Sequence, residues 1–333
     1  MIFNPNQTKF ENNNQRDVWK YGINIVPPEV SLADVEDEEI REGCMQIYDC
    51  TMEILAYTWN NPDECEGNVN GYAVVYISWI LSGIKSAPFK RDVEAFSRYI
   101  QKISLFGFVY NEDLCAWTND RYPLFCEYYP RFVELAKKRK QNMGGYLQRL
   151  DFRLFAKRII ITFDDLLRPL SDTEKTYFLE LHEYALAKRM KVKKKEVSHF
   201  GYTYNDFNSL GLNNNPASVY VSFGLNYASD QFDRFMEIIE KQPDADVLAQ
   251  YIRDNIHFCD GCAANVSSRA KEKEKKKCGY YYINIRGKKV LSCFGSSIGT
   301  SHYSRPKREL NDVDIKMMKR LLDVRCEQIL LCI

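Results

Sequence analysis

From His199 to Leu225 the chain reads HFGYTYNDFNSLGLNNNPASVYVSFGL. Apolar and aromatic residues alternate with small or polar ones, and the alternation is broken at Asn-Asp and Asn-Pro, the dipeptides of tight turns. This stretch predicts three short antiparallel strands. In the last of them Val219, Val221 and Phe223 share one face. Any fold for this chain must therefore place helices around a small sheet.

The flanking segments have helical period. LSDTEKTYFLELHEYALAKRM opens on an S-x-x-E capping box, Ser171 and Glu174, in which each side chain satisfies a free N–H near the helix start. Tyr177, Leu181, Tyr184 and Leu186 supply its apolar surface. The basic run AKRMKVKKKEV then reads as a solvated face at the helix C-terminus. After the strands, one helix starts near Ser229 and turns Phe232, Phe235 and Ile239 inward, and a second starts at Asp244. The last carries a stripe of Ile315, Met318, Leu322, Cys326 and Ile329. From Ser171 the order is helix, three strands, two helices, a cysteine-bearing hairpin, helix.

The first half reads as mainly helical. Residues 1–30 are Asn- and Pro-rich and read as a loose N-terminal arm. A helix follows with Ile40, Cys44, Ile47 and Ile54 on one side, and another has Val93, Phe96, Ile100 and Ile103 in line. A short hairpin is expected after Gly107; a helix followed by a hairpin also permits a winged-helix reading. Residues 128–158 read as a long helical stretch interrupted at Gly144-Gly145. The expected class is α+β: a helical N-terminal region with a short hairpin (31–165), then a curved antiparallel sheet flanked by helices (166–333) that includes the cysteine segment 257–295.

The phrases LRPLSD, ELHEYA and IKMMKRLLDVR, with this element order, resemble uncharacterised bacterial proteins. The C-terminal half resembles small iron-chaperone-like α+β domains. The resemblance implies a curved antiparallel sheet flanked by helices over roughly the last half of the chain. It carries over no functional residue.

The sharpest chemical signal is FCDGCAANVSSRAKEKEKKKCGYYYINIRGKKVLSC. Cys259 and Cys262 are spaced C-x2-C, the usual first half of a structural zinc site. Cys278 follows, and two strands around Arg286-Gly287-Lys288 return the chain to Cys293. Four sulfurs on one tetrahedral zinc ion would pin a hairpin that has little apolar surface of its own. A reversible C-x2-C thiol pair, an iron–sulfur centre and unligated thiols are the alternatives. Tyr280, Tyr282 and Arg286 alternate on the first of these strands, with Lys288 and Lys289 beside them. If the isoleucine face is buried, this outer face suits single-stranded nucleic acid; the plainer account is that tyrosine is a good strand former.

Charge adds to this. Met1 to Ile80 holds 14 acidic and 4 basic residues, and Tyr251 to Ile333 holds 17 basic and 9 acidic. The basic C-terminal region attracts a polyanion or packs near the acidic part. The polar start is no signal peptide, and the longest apolar run, GYAVVYISWILSGI, is shorter than the roughly 20 residues that span a bilayer. A cytoplasmic protein with no membrane partner is expected, its 11 cysteines mostly reduced. There is no P-loop, G-x-G-x-x-G or G-x-S-x-G, and HEYAL lacks the second histidine of a zincin. The expected function is a binding or regulatory module for a small ligand or protein, with zinc as cofactor. Its pocket would lie between sheet and helices, lined by Tyr202, Tyr204, Tyr220 and Phe223. The alternatives are a nucleic-acid-binding regulator and a thiol-redox or metal-handling enzyme.

Overall fold

The computed structural model describes residues 3–61, 104–111, 116–139, 143–214, 217–223, 229–256, 281–292, 297–300 and 309–331. The class is α+β, helices with open antiparallel sheets. The chain forms two units, Met1–Ile160 and Ile161–Ile333.

The first unit contains α1 (Asn13–Gly22), α2 (Pro28–Ser31), α3 (Glu38–Asn60), the hairpin β1 (Phe108–Asn111) and β2 (Ala116–Asn119), α4 (Phe125–Lys138) and α5 (Met143–Arg149). The Asp37 carboxylate starts α3 by accepting from the Glu39 and Ile40 N–H groups at 3.0 and 3.1 Å. Two more acids fill the first turn, where the helix dipole favours them. Cys44, Ile47 and Ile54 are buried, as their spacing predicts. Gly43 lets α4 approach: a Cβ there would stand 2.4 Å from ring carbons of Tyr128. Gln46 accepts from the Leu124 N–H and Glu53 from Arg121 and Tyr122, so α3 and α4 run in opposite senses.

Two expectations change in this unit. Residues 3–30 are not a loose arm. Asn12 caps α1, Val18 and Ile25 enter the core, and the Val26 N–H donates to the Arg149 carbonyl at 2.7 Å. The Gly144-Gly145 pair lies inside α5 rather than breaking a helix; the break comes earlier, where α4 ends at Lys138. The helix expected over Val93 to Ile103, and with it the winged-helix reading, lies outside the described residues.

A 3-10 turn, Phe152–Phe155, closes the unit. Its cap is Asp151, fully buried, which takes two parallel hydrogen bonds from Arg153 Nε and Nη2, each 2.8 Å. Arg153 is itself buried and also donates from Nη1 to the Ile160 carbonyl at 2.9 Å.

In the second unit, α6 (Phe163–Leu167) precedes α7 (Asp172–Ala187). The capping box is present: Ser171 Oγ accepts from the Glu174 N–H at 3.4 Å, and Glu174 accepts from the Ser171 N–H at 2.9 Å. Ser171→Ala is expected to destabilise this unit by about 1 kcal/mol, read as a shift in denaturant midpoint at unchanged slope. The buried stripe of α7 is Phe178, Leu181 and Ala185, whereas Leu186 is 47% exposed.

The sheet order is β3-β4-β5-β6-β9, all antiparallel, with β3 Lys191–Glu196, β4 His199–Tyr204, β5 Phe207–Asn214, β6 Ala217–Ser222 and β9 Ser297–Gly299. The three strands read from alternation are its centre. Asn205 and Asp206 both have positive φ and turn β4 into β5 in two residues. The basic run after α7 is an edge strand, not a helix end. Four lysines in six residues and a bulge between Val192 and Lys194 protect that edge against pairing with another chain.

Two registers face the core: Phe200–Leu212–Val219 and Tyr202–Leu210–Val221–Ile298. Helices α8 (Ser229–Ile239), α9 (Ala245–Asn255) and α10 (Asp312–Leu331) bury them, with Phe232, Phe235, Ile239, Leu248, Met318 and Leu322 against the sheet. Asp244 stands at the start of α9 but makes no cap. Its carboxylate binds Arg320 of α10 at 2.8 and 2.9 Å instead.

The hairpin β7 (Tyr281–Ile285) and β8 (Lys288–Ser292) turns at Arg286-Gly287, both with positive φ. Ile283 and Ile285 are fully buried in the same core. The expectation that this hairpin has too little apolar surface to order itself is therefore corrected.

Candidate functional site

Among the described residues the inner face of the sheet is packed. The space expected between sheet and helices is filled: Tyr202 is 1% exposed and Phe223 6%. Tyr202 donates or accepts at His182 Nδ1, 2.6 Å away, while the His182 ring stacks on Phe163 with centroids 4.0 Å apart. Phe223 lies under the Arg325 guanidinium at 4.8 Å. Tyr204 packs at the margin of the core. Only Tyr220, of the four predicted ligand-binding aromatics, points to the other face, so the four do not form one lining.

That other face is built around glycine. Glycine inside a strand weakens it unless something must approach the backbone closely. One register runs Lys194–Gly201–Gly211–Tyr220–Gly299 across the whole sheet. The Tyr220 side chain crosses Gly211. A Cβ on Gly211 would sit 2.1 Å from Tyr220 Cζ, 2.4 Å from Cε2 and 2.5 Å from Oη. Cζ is nearer than Cε2 and Oη, which are bonded to it in two different directions, so that point lies over the face of the ring, and the phenol rests flat on the strand.

The hydroxyl then reaches His199 Nε2 on β4 at 2.8 Å. The two rings are 13° from parallel with centroids 6.1 Å apart. A phenol and an imidazole joined end to end through that hydrogen bond have this separation, so the near-parallel rings lie side by side instead of stacking face to face. The result is a flat two-ring tablet lying on β4 and β5, with Gly201 against the imidazole edge. Both side chains are only partly exposed.

Both rings are neutral near pH 7. Burial, then the Lys194 charge, lowers the His199 pKa, and Glu196 opposes this. Burial, then Glu196, raises that of Tyr220. The direction of their hydrogen bond follows the imidazole tautomer. Lys194 and Glu196 form an ion pair at 3.3 Å beside the tablet. Asn213 and Ser218 occupy the next register, opposite His199 and each other.

His182 is also held below its usual pKa by burial. For both histidines the folded state binds fewer protons than the unfolded state below about pH 6.5, so stability rises with pH in that window and falls on acidification. Melting temperature of the second unit is expected to drop between pH 7.5 and 5. His199→Asn and His182→Gln should each flatten the slope. An unchanged slope in both variants would contradict the assignment.

The predicted nucleic-acid residues meet a different fate. Arg286 gives its guanidinium to Glu240 at 2.8 and 2.9 Å and to Asp246. It latches the hairpin to the residue that follows α8 and to α9. Lys288 and Lys289 are exposed, Tyr282 pairs with Leu291 in the ladder, and Tyr280 lies outside the described residues. Cys259, Cys262, Cys278 and Cys293 also lie outside them. Among the described residues no group of three or more His, Cys, Asp or Glu side chains is placed to hold a metal ion, and no helix is long and apolar enough to cross a membrane. Sequence reasoning missed His199 as a site residue. Its signal was Gly201 and Gly211, two strand-interior glycines on the outward parity of neighbouring strands.

No protein-family description, no curated protein and no solved structure matches this chain.

Proposed function

We propose that the second unit is a binding module that takes a planar aromatic ligand on the outer face of its five-stranded sheet. The near-parallel, hydrogen-bonded His199–Tyr220 pair carries this reading. A ring held face-down on glycine backbone turns its other π face away from the core, and a base stacked on such a ring contributes about 1–3 kcal/mol. Neutral rings suit this role because stacking then strips water from no charge.

Adenosine and indole serve as uncharged planar probes. The chain has four histidines, so the His199 Cε1–H resonance is assignable by comparison with His199→Asn. Titration is expected to move that resonance. Tyr220→Leu should weaken binding by about 5- to 100-fold, and Tyr220→Phe, which keeps the ring, by less. If neither probe moves the His199 signal, the reading fails.

A closed zinc site of Cys259, Cys262, Cys278 and Cys293 is a separate proposal that stands on spacing. It expects about one tightly held zinc ion per chain. Purified protein without bound metal, and with all four thiols open to titration, would remove it.

A further inference from the structure

We infer that the planar ligand carries phosphate, so that the sheet face takes a nucleobase–phosphate unit. This rests on the reading of the His199–Tyr220 pair as a stacking surface, and it follows from what borders that pair. Next to β4 runs β3, where Lys191, Lys193, Lys194 and Lys195 are all exposed. Glu196 is the one acid on the strand, and Lys194 holds it at 3.3 Å. The register puts Lys191 and Lys194 on the tablet side of the strand, opposite Thr203 and Gly201, with Lys193 in the bulge between them and Lys195 on the core side opposite Phe200, so the positive charge beside the two neutral rings comes from Lys191, Lys193 and Lys194.

Lys194 belongs to the same register as Gly211 and Tyr220, two strands from Gly211. Strands lie about 4.8 Å apart. A base over the tablet therefore has its phosphate within reach of lysine side chains, which are long and flexible. The charge of Lys194 is felt at His199 itself. An aromatic platform beside a basic track is the arrangement that single-stranded nucleic acids and nucleotides share as a target. Lysines on an edge strand also discourage strand pairing, and that function needs no ligand. The two accounts predict different results.

Binding of adenosine, AMP and a ten-residue oligodeoxyadenylate is compared at low and at physiological salt, using the full chain and the His199 resonance. AMP is expected to bind about tenfold more tightly than adenosine at low salt, with the advantage shrinking as salt rises. The triple variant K191Q/K193Q/K194Q should bind AMP and adenosine alike. An oligonucleotide that binds more tightly than AMP, with a steeper salt dependence, identifies nucleic acid as the source of the phosphate; equal affinities identify a free nucleotide. If adenosine binds and AMP gains nothing, the phosphate inference is overturned while the stacking surface stands. If no probe moves His199, both fall. A triple variant that retains the AMP preference would also overturn the role of β3.

Discussion

Asp151→Ala is expected to destabilise the first unit by about 3–5 kcal/mol, the usual result of removing one partner of a buried ion pair. Asp151 is fully buried and Arg153 is 5% exposed. Their two parallel 2.8 Å hydrogen bonds offset the loss of water around both charges. Without the carboxylate, the guanidinium keeps its desolvation cost and loses its counter-charge. The cap of the 3-10 turn goes with it. The double variant Asp151→Leu/Arg153→Met is expected to cost less than Asp151→Ala alone, because no charge is then left behind. Urea denaturation of the three proteins decides this. A single variant within 1 kcal/mol of the parent protein would show that the pair contributes little.

Gly211→Ala is expected to have the largest combined effect on stability and binding. At a strand position with ordinary φ, an added methyl group would stabilise by restricting the unfolded chain, by about 0.4–1 kcal/mol. Here that methyl would sit 2.1 Å from Tyr220 Cζ. The backbone below cannot yield, so the phenol must lift off β5 and lose His199. Overpacking of this kind costs about 1–3 kcal/mol, which outweighs the gain. The variant should melt earlier, release the His199 pKa towards its ordinary value and lose adenosine binding. Gly287 provides a contrast. Nothing lies within 4 Å of its missing Cβ, but its φ is +76°, so Gly287→Ala acts through backbone strain in the hairpin turn and should leave His199 unchanged. A Gly211→Ala protein with parent stability and an unmoved His199 signal would refute the flat placement of Tyr220.

The elements legible in the sequence share one property: their signals are local. The Ser171–Glu174 box, the Asn205-Asp206 turn and the shared face of Val219, Val221 and Phe223 each depend on residues a few positions apart. The same holds for α10, whose stripe of Ile315, Met318, Leu322, Cys326 and Ile329 is buried throughout. Local signals misled where they served a non-local purpose. KVKKKE shows no alternation because an edge strand carries lysines to remain unpaired, and so it read as a solvated helix end. Ser297–Gly299 is too short to have a pattern, and it becomes β9 only because Tyr220 and Val221 offer a free edge. The arm over residues 1–30 looked polar on average, yet Val18, Ile25 and Val26 found a core to enter.

The candidate site belongs to this second class. Tyr202, Tyr204, Tyr220 and Phe223 looked equivalent in the sequence, as aromatics in consecutive strands. Strand parity and the pleat divide them between a packed core and an outer face. His199 was no candidate in the sequence, because its partner is 21 residues away and the glycine beneath that partner sits on a third strand position. Alternation and capping, written along the chain, determined that this protein is α+β and where most of its strands and helices lie. The tertiary structure alone decided which aromatic meets which histidine, because that contact depends on the register of three strands together, and no single stretch of sequence encodes it.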